Sequence, residues 1–150
     1  MAFLNPQDAE FVRNRFASDL HHDVTLEFFA PSTGGLVLPG ADGETADYTR
    51  RILEEVAALS GKITLRMHSI VAEPDVAERF GITRTPATAF VGAEDYGIRY
   101  YGIPAGYEFA TLLELIIAVS RGETDLGASS KDVLGRLKEQ AHIQVFVTPT

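Results

Sequence analysis

Arg84-Thr85-Pro86-Ala87-Thr88-Ala89-Phe90-Val91 sets a proline, which has no N–H to give to a sheet, just ahead of a short run suited to a strand. A strand is therefore expected over Ala87–Val91. A second run, Ile98–Tyr101, follows after a Gly-containing turn, so the two are expected to pair as an antiparallel hairpin. Downstream, Phe109, Leu112, Leu113, Ile116, Ile117 and Val119 place a wide apolar face on a helix over Tyr107–Arg121, which Gly122 ends. Upstream, Pro74–Phe80 reads as a short helix closed by Gly81.

Farther upstream, Lys62–Ile70 alternates: Ile63, Leu65 and Met67 fall on one side, Thr64, Arg66 and His68 on the other. This is the pattern of a strand with one wet face near a sheet edge. A helix over Glu44–Ser60 precedes it, with Tyr48, Ile52, Val56 and Leu59 on its apolar face and Gly61 as its stop. Ala30–Gly43 is rich in Gly, Pro, Ser and Thr and reads as a loop. Val24–Phe29, apolar except for Thr25 and Glu27, suits a strand covered on both faces and central in its sheet. The first helix starts at Asn5-Pro6, with Asp8 and Glu10 in its early turns, and runs to about Ser18 with Val12, Phe16 and Leu20 recurring every four residues. From residue 24 the order is β-α-β-α-β-β-α. The first two strands, joined through a helix, are expected to be parallel.

After Gly122 the chain continues through a polar connector, Glu123–Ser130, to a helix over Lys131–Gln140 carrying Val133, Leu134 and Leu137. Ile143–Val147 then reads as a strand before Thr148-Pro149-Thr150. A helix and one strand cannot close a core alone, so this tail is expected either to dock on the main body or to open a second unit. Helix-then-strand at both chain ends also hints at an internal repeat cut short. Two segments follow, 1–122 and 123–150.

The 150 residues include 13 Lys and Arg, 21 Asp and Glu, and no Cys, for a net charge of −8. The missing cysteine excludes disulfides, thiolate nucleophiles and zinc-thiolate sites within the chain. Without a basic block, nucleic acid and anionic membrane surfaces are not expected as partners. No apolar run reaches the roughly 20 residues of a membrane span, and Met1–Ala9 lacks the regions of a signal peptide, so a cytoplasmic location is the expectation.

The element order, with Arg84-Thr85-Pro86-Ala87-Thr88 entering the third strand, resembles a thioredoxin fold, whose hallmark is a cis-proline at that point. More specifically, Arg99-Tyr100-Tyr101-Gly102-Ile103-Pro104-Ala105-Gly106-Tyr107-Glu108-Phe109 and Val145-Phe146-Val147-Thr148-Pro149-Thr150 resemble the glutaredoxin-like protein disulfide oxidoreductases. Those proteins join two thioredoxin folds in tandem, and the N-terminal domain of the alkyl hydroperoxide reductase flavoprotein is similarly built. The resemblance implies an α/β thioredoxin-like fold, with a central mixed sheet of about four strands flanked by helices and an extra C-terminal helix and strand. It also places a C-x-x-C at the start of the helix after the first strand, where the helix dipole stabilises a thiolate. Here those positions fall on Gly43 and Ala46 of Gly43-Glu44-Thr45-Ala46, neither of which is a nucleophile. The expectation is a cysteine-less binding or scaffold domain without thiol-disulfide exchange of its own. The alternative is an N-terminal fragment of an oxidoreductase whose C-x-x-C lies in a second unit. Structural assembly through an open sheet edge is a third class.

By the same resemblance, Thr85 and Pro86 are candidates to bind extended peptide or protein segments, since strand addition uses the main chain and survives loss of the thiols; a proline that only shapes its turn is the plainer reading. Glu27, within Leu26-Glu27-Phe28-Phe29-Ala30, is a candidate buried acid like the one that serves the resolving cysteine in thioredoxins, or a carboxylate paired with a nearby base. No metal site is expected: His21, His22, His68 and His142 show no ligand spacing and read as surface or loop residues. Asp42-Gly43-Glu44 with Asp47 lacks a calcium-loop pattern, and Gly34-Gly35 and Gly40 lack the Lys and Ser or Thr of a phosphate loop. No cofactor is implied. Tyr100, Tyr101 and Tyr107 around Pro104 read as hairpin-to-helix packing. A homodimer through the Ile63–Ile70 edge and the C-terminal tail completes the expectations.

Overall fold

The computed structural model describes residues 2–31 and 43–147, and its elements are α1 (Pro6–Asp19), β1 (Val24–Ala30), α2 (Gly43–Ala57), β2 (Ile63–Ser69), α3 (Pro74–Arg79), β3 (Ala87–Val91), β4 (Arg99–Tyr101), α4 (Tyr107–Arg121) and α5 (Ala128–Gly135). One mixed sheet runs in the order β2-β1-β3-β4. β1 lies parallel to β2, with Val24 opposite Ile63 and Ala30 opposite Ser69. On its other side β1 is antiparallel to β3, which in turn pairs antiparallel with β4. The sheet is therefore centred on β1, and β2 is its terminal strand.

Alternation along β1 divides the interior in two. Val24, Leu26, Phe28 and Ala30 pack in a large core with Val12, Phe16 and Leu20 at and beyond α1, with Ile52, Leu53 and Val56 of α2, and with Leu112, Ile116 and Ile117 of α4. Phe29 turns the other way and joins Ala87, Ala89, Ala77 and Ile82 in a smaller core beneath α3. Residues of β1 are buried on both faces, which is why no polar alternation marks it. Local signals set the helix ends: the Asn5 side chain accepts the Asp8 N–H at 2.9 Å, and Gly122 ends α4 in the left-handed conformation at φ 66°.

Several expectations are corrected. The core-facing residue near the start of α2 is Thr49, fully buried with its hydroxyl donating to the Thr45 carbonyl at 2.8 Å, whereas Tyr48 is exposed. The apolar stripe of α2 runs through Ala46, Thr49, Ile52, Leu53 and Val56, and a threonine whose hydroxyl is satisfied inside its own helix can occupy a core position. The last helix spans Ala128–Gly135 rather than Lys131–Gln140, Gly135 being a poor residue with which to continue. Ile143–Val147 is not a strand; among the described residues it has no neighbour with which to form a ladder. The tail does not dock on the main body, for every residue from 123 to 147 is exposed, and the helix-strand repeat is not seen. α2 packs against the side of β2 that carries Ile63 and Leu65, while Met67 on the same side is 38% exposed and α5 does not cover it. The loop expected over 30–43, with Gly34, Gly35, Gly40 and Asp42, lies outside the described residues except for Ala30, Pro31 and Gly43, as do Thr148, Pro149 and Thr150.

Candidate functional site

The C-terminal end of β1 is the point at which the candidate residues meet. Ala87, directly after Pro86, pairs with Phe29; Ala46 packs in the same core as Phe28 and Ala30; His68 and Ser69 lie opposite Phe29 and Ala30. Topology thus brings the start of α2, the start of β3 and the end of β2 to one end of the sheet. The Thr85–Pro86 peptide bond is cis. Pro86 is buried and its carbonyl accepts the Gly102 N–H at 3.0 Å, which ties the start of β3 to the turn after β4. Thr85, half-buried, precedes the ladder, and among the described residues its backbone makes no hydrogen bond. Gly43 is the first residue of α2 and Ala46 is buried one turn into it, so the helix start presents a methyl group and no acid-base or nucleophilic group at these two positions.

Glu27 points to the opposite face from Phe28 and is buried in the sheet at 5% exposure. Its register partner on β2 is Arg66, whose guanidinium lies 3.3 Å from Oε1; two residues on, the Nε2 of His68 lies 2.7 Å from Oε2. His68 also reaches Glu73 with Nδ1, at 3.1 Å from Oε1, while the other oxygen of Glu73 accepts the Ser69 N–H at 3.2 Å. Both ring nitrogens of His68 therefore face carboxylates, which as anions only accept; an imidazolium donating from both satisfies this arrangement. Burial favours the neutral ring, but hydrogen bonds to Glu27 and Glu73, with their charges, outweigh it and hold the His68 pKa above its ordinary value. The bond from His68, with that from the Ser69 N–H, holds Glu73 below the ordinary carboxylate range. The ring of His68 stacks on Phe29 with centroids 5.0 Å apart.

The paired reading of Glu27 is the one the geometry supports, and His68 is more than a surface residue: its side chain is only 15% exposed. The sequence held a signal for it. On a strand parallel to β1, Arg66 and His68 form the polar face, and Glu27 lies on the matching face of β1; the register that joins them arises only when the strands pair. Among the described residues no group of His, Asp and Glu is arranged to hold a metal ion. Asp47 instead engages Arg50 at 2.8 Å and Arg51 at 3.1 Å.

The three tyrosines do not form one cluster. Tyr100 packs on the large core, its hydroxyl 3.2 Å from both the Ile103 carbonyl and a Glu108 carboxylate oxygen. Burial and the Glu108 charge push its pKa up to about 12. Tyr101 faces the smaller core with Arg84 4.5 Å above its ring, and Tyr107 is 91% exposed. Adjacent strand residues point to opposite faces, which separates Tyr100 from Tyr101.

No family model matches the chain. Its sequence is 29% identical over 111 residues to the alkyl hydroperoxide reductase AhpF of Staphylococcus epidermidis, covering 74% of this chain and 20% of that protein. It is 24% identical over 139 residues to an NADH dehydrogenase of Bacillus subtilis, covering 91% of this chain and 23% of that protein. Among solved structures, the NTD_N/C domain of alkylhydroperoxide reductase AhpF from Enterococcus faecalis matches with a TM-score of 0.73 at 26% identity, over 89% of this chain and 61% of that one. A protein disulfide oxidoreductase from Aeropyrum pernix matches with a TM-score of 0.74 at 25% identity, over 92% of this chain and 57% of that one. The chain thus spans about a fifth to a quarter of the curated relatives it matches.

Proposed function

We propose, for a thioredoxin-like chain whose structural neighbours are the N-terminal domain of AhpF and a protein disulfide oxidoreductase, that it is a cysteine-less binding or scaffold domain that performs no thiol-disulfide exchange of its own. One observation carries the reading: the Thr85 backbone, at the start of β3, stands outside the sheet ladder, while Gly43 and Ala46 supply no thiol. An extended peptide or protein segment would take its main-chain hydrogen bonds from Thr85, with Pro86 as the wall of the groove. Such recognition draws affinity from backbone groups and is indifferent to the lost cysteines. Glu27, in this reading, has no thiol to serve and is held as an ion pair by His68.

The test has two arms. Insulin reduction by dithiothreitol is expected to proceed at the uncatalysed rate when the protein is added; turnover above that rate would overturn the claim of no exchange. Titration with carboxymethylated insulin B chain, an unstructured probe without free thiols, is expected to shift the backbone amides of Thr85 and Ala87 in a nitrogen-15 NMR spectrum. Unchanged amides at millimolar probe would remove the binding role. The second reading, an oxidoreductase whose C-x-x-C lies in a further unit, draws support from the 61% and 57% shares of the two neighbours that this chain covers. Reading the coding sequence past Thr150 decides for it if a C-x-x-C follows in frame.

A further inference from the structure

We propose that the segment bound at Thr85 is an acidic one, with Arg84 taking a carboxylate carried next to the residue that pairs with Thr85. The proposal rests on the reading of Thr85 given above and names the class of peptide it selects. Arg84 directly precedes Thr85 and is exposed. A segment hydrogen-bonded to the Thr85 main chain would run about 4.8 Å from it, so side chains flanking the pairing residue fall within reach of an arginine.

The guanidinium is already held in place, and by an uncharged group. Arg84 lies over the ring of Tyr101 at 4.5 Å, and Tyr101 pairs across the sheet with Ala87, two residues after Thr85. A guanidinium stacked on a ring keeps its N–H donors at its rim, where a carboxylate can take two of them at once. Part of the side-chain entropy that usually weakens an exposed ion pair has thereby been lost before the ligand arrives.

Arg84 also lacks an acid of its own. The chain carries eight more acids than bases, and most of its arginines sit in ion pairs, Arg99 with Asp95 at 2.6 Å among them. Among the described residues, the Arg84 guanidinium has neither a carboxylate nor another hydrogen-bond acceptor; its neighbour is the Tyr101 ring. Arg79 repeats the arrangement. It lies 5.2 Å from the centre of the Phe80 ring and, among the described residues, makes no ion pair with Asp75, four residues before it in α3. Phe80 and Tyr101 pack on the same small core, so both unpaired guanidiniums stand over one face of the sheet. The net charge of −8 opposes an acidic ligand only weakly there, because physiological salt screens charges farther than about 8 Å away.

The experiment uses the full chain, labelled with nitrogen-15, and two short blocked peptides that alternate valine with glutamate in one and with glutamine in the other. Both are expected to shift the Thr85 and Ala87 amides at physiological ionic strength. The glutamate peptide is expected to bind about fivefold more tightly, the upper end for one exposed ion pair. That preference is expected to vanish at molar salt and in Arg84→Gln. In the wild type the Arg84 Nε–H resonance is expected to move with the glutamate peptide and to stay in place with the glutamine peptide, a readout independent of how the variant folds. Equal affinities of the two peptides overturn the proposal and leave the reading of Thr85 standing. A preference that survives Arg84→Gln, or an Arg84 Nε–H indifferent to the glutamate peptide, overturns it in the same way. Failure of both peptides to move the Thr85 amide at millimolar concentration overturns the reading of Thr85 and the proposal together.

Discussion

Removing the imidazole of His68 leaves Glu27 buried beside Arg66 alone, and Arg66, whose side chain is 63% exposed, cannot replace a partner held at 2.7 Å. An uncompensated buried carboxylate is costly, so His68→Ala is expected to lower unfolding stability by about 2–3 kcal/mol in urea melts at pH 6. The double variant Glu27→Leu/His68→Leu removes charge and partner together and is expected to fall within about 1 kcal/mol of the wild type. The pH dependence follows from the direction of the His68 shift. With its folded pKa above the ordinary 6.5, the imidazolium's contribution is fully present below about pH 6.5 and is lost as pH rises through the raised folded value. Glu73 acts in the opposite direction: its folded pKa is depressed, so its contribution is present above its ordinary pKa of 4.5 and is lost as pH falls through the lowered value. The stability difference between wild type and His68→Gln, measured by urea unfolding, is thus expected to shrink as pH rises above neutrality. Thr88 offers a change of the other sign. Its Oγ1 is buried and, among the described residues, has no hydrogen-bond partner; Thr88→Val keeps the shape without the orphaned hydroxyl and is expected to raise stability by about 1 kcal/mol in thermal melts.

At the scale of elements, the end of β3 and the end of α4 approach closely at Gly92. A Cβ added to Gly92 would stand 2.6 Å from the Val119 carbonyl oxygen and 3.0 Å from Val119 Cγ1, and the nearer of these belongs to the α4 backbone, which cannot swing aside. Gly92→Ala is therefore expected to cost about 2 kcal/mol by forcing α4 off the sheet, read as a lowered midpoint in thermal unfolding. Nothing local distinguishes this glycine from Gly97 in the same turn, whose positive φ of 80° instead meets open space; the requirement comes from a helix farther along the chain. α2 teaches the same lesson. Its helical period is plain in the sequence, yet whether Tyr48 or Thr49 enters the core depends on how α2 is rotated against β1, a choice made by packing. The ends of α1 and α4, by contrast, follow from Asn5 and Gly122 alone.

At the scale of the whole molecule, the structure divides into a sheet covered by packed helices and a tail, 123–147, in which no residue is buried. A helix as short as α5 is marginal in water without tertiary support, so it adds little to the stability of the body. Val145→Pro is accordingly expected to leave the thermal midpoint unchanged, within the equivalent of about 0.5 kcal/mol. A lower midpoint would mean that the tail packs on its own body.

The sequence by itself determined the order of the elements through α4, the central place of β1, the edge position of β2 and the lack of a cysteine in these 150 residues. Each of these rests on composition or on patterns a few residues long: hydrophobic period, caps, glycine stops, and a cysteine count of zero. Tertiary structure alone decided that His68 closes on Glu27, 41 residues away in the chain, since only the parallel register of β1 and β2 places the two on one face of the sheet. It also decided that Ile143–Val147 is not a strand within the described chain. A strand's hydrogen bonds lie outside itself, so a sequence can prepare a segment for the extended state, but only a neighbour in space can complete it.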